Sequence, residues 1–177
     1  MVRFCFIFSY MLLTVGSRLG MGIPNFSPLL AFSLFAGAYI PNRYVAHFLP
    51  LGILFGTDLY LGIHSTMFFT YFSVFLLSIG GSWMTHASKI PSWKGLTWSA
   101  ISGSVLFFGI TNFGVWAMTS LYPHTWSGLL ACYEAGSPFY RATLTSTVLF
   151  SYLFFFGYAK GVAWAQDSRR GSAMVSR

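Results

Sequence analysis

Acidic side chains are scarce in this chain. Its 177 residues hold three carboxylates, Asp58, Glu134 and Asp167, against ten lysines and arginines, and charged residues make up only 7% of the whole. A water-facing domain carries about 25% charged residues, so most of this surface does not face water. Cysteine is nearly missing as well. Cys5 and Cys132 form no CxxC pair and lie in no Cys/His spacing suited to zinc, so no metal site is read here. Gly80-Gly81 stands at the end of an apolar run without a G-x-x-x-x-G-K pattern, which excludes ATP hydrolysis of the P-loop kind. HExxH and an ordered Ser/His/Asp signature are missing too, and no enzyme is expected. The net charge of +7 does not point to nucleic acid, because the basic residues stand at the ends of apolar runs, where they set membrane orientation.

What fills the chain instead is apolar: 55% of it is hydrophobic and 20% aromatic. The apolar runs are long and unbroken rather than alternating, so they predict helices and not a β-barrel. The expected fold is an all-α membrane protein, one bundle of six transmembrane helices over residues 1–165, followed by a basic cytoplasmic tail over 166–177. Helix 1 is expected over Arg3–Leu19, helix 2 over Ser27–Ile40, helix 3 over Arg43–Gly62, helix 4 over Ser65–Met84, helix 5 over Leu96–Ser120 and helix 6 over Pro138–Val162. The first 17 residues have the charge and apolar core of a signal peptide. No small-x-small site closes that core and Arg18 stands where one belongs, so they are read as a helix. Helix 2 hinges onto helix 3 at Pro41-Asn42-Arg43 and is short for a hydrocarbon core of about 30 Å, so it must be buried among the others or thin the bilayer. Between helices 5 and 6, Leu121–Ser137 is expected to hold a short helix or lid capped by Thr125 or Ser127 and ended by Gly136-Ser137-Pro138.

Lys and Arg fall unevenly between alternate ends of these helices. Arg3, Arg43, Lys89, Lys94, Lys160, Arg169, Arg170 and Arg177 collect on one side, and only Arg18 and Arg141 on the other. The positive-inside rule then puts both termini in the cytoplasm, in a multi-pass membrane protein. Cys5 and Cys132 fall on opposite faces and cannot pair. Asp58 lies fifteen residues beyond Arg43, a rise of about 22 Å at 1.5 Å per residue, and Asn112 reaches a similar height in helix 5. An acid at such depth costs roughly 2.5–3.5 kcal/mol on insertion scales, which marks a site. Arg18, Asn25, Asp58, Asn112, Glu134 and Arg141 are therefore the expected ligand-binding set, gathered at the outer end, with Ser27 and His64 near them. Phe26, Tyr60, Phe113 and Trp116 are the expected apolar walls. Helix contacts are expected at Ser33 and Gly37, Gly52 and Gly56, and Gly157 and Gly161, each a small-x-x-x-small pair. Histidines fall in two pairs, His47 with His86 and His64 with His124; they are read as interfacial rather than as haem ligands, and no cofactor is expected.

Three runs resemble a known family: PNFSPLLAFSLFAGAYIPNRYVAHFLPLGILFGTDLYLGIH at 24–64, ITNFGVWA at 110–117 and LYPHTWSGLLACYEAGSPFYRATL at 121–144. They look like an uncharacterised bacterial membrane-protein family related to the substrate-binding (S) components of energy-coupling-factor (ECF) transporters. The similarity covers roughly Arg18 to Leu153. It implies binding of a vitamin-like solute or metal at the outer ends of the helices, and transport on docking a coupling subunit driven by two ATPases. Helix 1 has no alanine-x-x-x-alanine docking pattern of the S-component kind; the nearest small-residue face is Ala31, Ser33, Ala36 and Gly37 in helix 2. The expected partners are thus the lipid bilayer, a small solute and an ECF-type coupling subunit. The competing expectation is a non-transporting accessory subunit packed in a larger membrane complex.

Overall fold

The computed structural model describes residues 2–20, 22, 24–87 and 92–175, with side chains outside 85–87 and 169–175. Lys89 and Arg177 lie outside the described residues, as do the side chains of His86, Arg169 and Arg170. Six helices follow one another: α1 (Val2–Gly20), α2 (Leu29–Tyr39), α3 (Arg43–Leu61), α4 (Met67–Ala87), α5 (Trp93–Met118) and α6 (Trp126–Val175), and no strand occurs among the described residues. Five of them are long and apolar enough to cross a membrane. The chain reads as a multi-pass membrane protein.

The exception is α2, and it is the centre of the bundle. Its eleven residues rise only about 16 Å, nine of them are buried, and it touches all five other helices. Its beginning and end are local. Pro28 precedes its first residue and accepts from the Phe32 amide at 2.8 Å; Ile40, ahead of Pro41, is forced out of the helix into extended backbone. Asn42 then starts α3 by accepting from the amides of Tyr44 and Val45 at 3.0 and 3.2 Å.

In lipid, tight packing between helices comes from close backbone approach at small residues rather than from exclusion of water. The crossing of α2 with α4 shows this. A methyl added at Gly37 would overlap the Ser78 carbonyl, and one added at Gly81 would overlap that of Leu34. Ser82 Oγ donates to the Gly37 carbonyl at 3.1 Å, and fully buried Ser33 donates to Leu29 at 2.7 Å. Gly157 and Gly161 of α6 likewise receive Tyr10 and Phe6 of α1. Gly52 and Gly56 do not pack: nothing lies within 4 Å of a side chain built there. The buried face of α3 runs through Ala46, Pro50, Ile53, Leu54, Thr57 and Asp58, and the glycine pair sits about half a helical turn away from it. The face Ala31, Ser33, Ala36 and Gly37 is wholly buried, so it offers no surface to a docking partner.

Aromatic rings fill the middle. Phe35 of α2 has its ring within 5.1–6.1 Å of Tyr10, Tyr39, Phe154, Phe155 and Tyr158, mostly edge to face. Tyr10 stacks on Phe154 at 4.1 Å and donates its hydroxyl to the Phe154 carbonyl.

The expected short helix before Pro138 is not a separate element. It forms the first turns of α6, whose 50 residues extend about 75 Å. Thr125 does cap it, accepting from the Gly128 amide at 3.2 Å. The helix then passes through Gly136-Ser137-Pro138 without ending. Pro138 leaves only the Glu134 carbonyl without its helical donor. Tertiary contacts hold the turns on its N-terminal side: Tyr133 donates to Gly109 at 2.7 Å, and Cys132 to Asn112 at 3.4 Å. Helix continues through the expected tail as far as Val175. Cys5 is exposed, Cys132 buried, and both are free.

Candidate functional site

One end of the bundle gathers the last turns of α1, α3 and α5 and the first turns of α2, α4 and α6. Arg18, in the last turn of α1, reaches across to α3. Its Nη2 lies 2.7 Å from Asp58 Oδ1, and its Nε donates to Thr57 Oγ1 at 2.7 Å. The second Asp58 oxygen accepts from the Tyr71 hydroxyl of α4 at 3.1 Å. Thr57 passes its own proton back to the Ile53 and Leu54 carbonyls, so it meets Arg18 with a lone pair. Three helices are thus tied by one charged network in an apolar bundle. The pair is unequal in exposure: 17% of the Arg18 side chain is accessible and 5% of Asp58.

Two cavities border this pair. One of about 350 Å³ lies among Arg18, Asp58, Thr70, Asn112, Gly136 and Tyr140; another of about 320 Å³ lies among Arg18, Ser27, Leu30, Leu61 and Phe107. They share Arg18, Asn25, Phe107 and Thr143, so Arg18 stands where they meet, and all six helices contribute to their walls. Asn25 has a φ of 59°, left-handed backbone that asparagine tolerates better than most residues, and its carbonyl accepts from Thr143 at 3.5 Å. Volumes of this size fall at the lower end of the range for ligand pockets, roughly 300–1,000 Å³. A larger recess of about 630 Å³ opens at the other end of the bundle beside Tyr39 and Tyr158. Its only charged wall is the exposed Arg3, and no ion pair reaches it among the described residues.

Four of the six expected ligand-binding residues, Arg18, Asn25, Asp58 and Asn112, line the 350 Å³ cavity, as does His64. Glu134 and Arg141 do not. Seven residues apart, they share one exposed face of α6, while the cavity takes the face of Gly136, Phe139, Tyr140 and Thr143. Of the expected apolar walls only Phe26 lines a cavity. Tyr60 is 78% exposed, Phe113 is exposed against Phe69, and Trp116 donates to the Pro123 carbonyl at 3.0 Å. Phe107, Phe108, Phe139 and Tyr140 join Phe26 as the aromatic rings that wall the cavities. Thr57 and Tyr71 went unread in the sequence. They sit at the height of Asp58, and the reckoning of depth that selected Asp58 and Asn112 would have reached them had it included hydroxyls.

His64 apart, the described histidine side chains lie outside the two cavities. His47 Nδ1 lies 2.9 Å from Ser78 Oγ, His64 bonds Thr66, and His124 packs on the Trp116 ring. Among the described residues no three His, Cys, Asp or Glu side chains converge as a metal site would require.

A model of a family of unknown function (DUF6580) matches residues 1–168, nearly the whole chain, and the protein belongs to that family. No curated protein and no solved structure matches it. None of these comparisons shows a likeness to S components.

Proposed function

We propose that this member of the family binds a small polar organic solute in the cavities at Arg18, with that end facing outward from the bacterial inner membrane, as an S-component-like uptake subunit. The observation that carries the proposal is the placement of a partly buried, hydrogen-bonded cation at the junction of two cavities walled from all six helices. A charge inside a membrane bundle is expensive and tends to mark a ligand or ion pathway. The uneven distribution of Lys and Arg supports the outward orientation. The lack of converging metal ligands among the described residues favours an organic solute over a metal ion. ATP-driven transport would draw on a partner, since the chain has no P-loop; a coupling subunit with two ATPases would fill that role.

One observation favours the accessory-subunit alternative. Both oxygens of Asp58 are satisfied without a ligand, as they would be in a purely structural ion pair. Mass spectrometry of the purified protein separates the two. The solute-binding proposal expects a small molecule released on denaturation and a rise in Tm when it is added back. Repeated preparations that release nothing, with no Tm shift across a broad solute panel, support the accessory role.

A further inference from the structure

We infer that the solute is a monoanion, a carboxylate on an apolar body, held by the free side of the Arg18 guanidinium. The inference rests on the proposal that these cavities hold a solute. It comes from an imbalance of hydrogen-bonding capacity. Asp58 is nearly inaccessible and each of its oxygens already accepts a bond, from Arg18 and from Tyr71. Arg18 is the more exposed partner and borders both cavities. A guanidinium has five N–H groups; among the described residues two are engaged, with Thr57 and Asp58. What Arg18 offers the cavities is therefore donors, in the planar arrangement that suits a carboxylate.

The neighbouring groups shape that preference. Thr111 spends its proton on the Phe107 carbonyl and Thr143 shares its own between the Phe139 and Asn25 carbonyls, so both present lone pairs. Asn112 gives one amide proton to Phe108 and keeps the other. Such groups suit a hydroxyl or amide on the solute, but none supplies charge. Asp58 already balances Arg18, so any charge on the solute is held by hydrogen bonds alone; a carboxylate brings one such negative charge and a phosphate dianion two, beside a buried carboxylate. The remaining walls, Leu30, Leu61, Phe107 and Phe139, fit an apolar body.

Isothermal titration of the full chain in detergent tests this with benzoate and hexanoate against benzamide, hexanamide, hexylamine and hexyl phosphate. The carboxylates are expected to bind at least about tenfold more tightly than their amides, the scale of a charge-assisted hydrogen bond. Arg18→Gln alone strands a buried acid and is prone to misfolding. The double variant Arg18→Gln/Asp58→Asn removes both charges together and is expected to stay folded while losing the carboxylate preference. Binding of an amide, amine or phosphate ester as tight as that of the acid overturns the monoanion inference and leaves the solute-binding proposal standing. Retention of the preference in the folded double variant also overturns it. If no probe binds, the molecule released from denatured protein decides: an organic acid upholds the inference, a neutral or cationic molecule overturns it alone, and no molecule at all overturns both.

Discussion

Two regions of the bundle are built from the same helices and filled in opposite ways. Around Phe35, α1, α2 and α6 meet through rings, with the Tyr39 hydroxyl buried and without a hydrogen-bond partner among the described residues, and α2 lies against α4 with no room for a methyl at Gly37 or Gly81. Toward the opposite ends of those same helices, Arg18, Asn25 and Thr143 face cavities. The packed region gains mainly from closeness, with bonds such as Tyr10 to the Phe154 carbonyl and Ser82 to the Gly37 carbonyl added between helices. The Arg18 region keeps a charge pair and open volume where apolar side chains would pack at lower cost. That difference separates what holds this protein together from the region proposed to take a solute.

The largest test of the comparison strikes its packed side. Gly81→Leu drives a side chain into the Leu34 backbone, a contact no rotamer relieves. It is expected to abolish the monodisperse folded peak in size-exclusion chromatography, at a cost above the roughly 1–3 kcal/mol of ordinary overpacking. Arg18→Gln comes next. It leaves the buried Asp58 carboxylate without its cation, and the loss of one partner of a buried pair costs about 3–5 kcal/mol, here near the lower figure because Arg18 is partly exposed. Adding Asp58→Asn should restore most of that stability, as read from Tm in a double-mutant cycle. Tyr71→Phe removes one hydrogen bond to Asp58 and is expected to cost about 1 kcal/mol by the same measurement. Gly52→Leu should be smallest, within about 0.5 kcal/mol of wild type, because its side chain enters open space on the outer face of α3. A large loss there would mean that the face is packed after all.

Much of this was legible in the sequence, and all but one of the failures share a cause. Segment count, the hinge at Pro41 and the burial of the short α2 follow from run length and proline placement. The common height of Asp58 and Asn112 follows from the constant rise of a helix. What linear distance along a helix does not reveal is rotation about its axis. Glu134 and Arg141 were chosen by height and turned out to face away from the cavities, whereas Thr143, two residues beyond Arg141, faces into both. Gly52 and Gly56 have the spacing of a packing pair on the wrong side of α3. The break expected at Gly136-Ser137-Pro138 fails for a different reason. Contacts of Cys132 and Tyr133 with α5 hold the helix through the proline, and such tertiary support is invisible to local propensity.

The central claim is that a water-reachable cavity beside Arg18 opens on the outer face of the membrane. Asn112→Cys, in a chain with Cys5 and Cys132 replaced by serine, places a thiol in the cavity wall. A membrane-impermeant thiol reagent added outside intact cells should label it, and a bound solute should slow that labelling. Labelling only after the cytoplasmic side is exposed would contradict the orientation, and no labelling from either side would contradict the cavity.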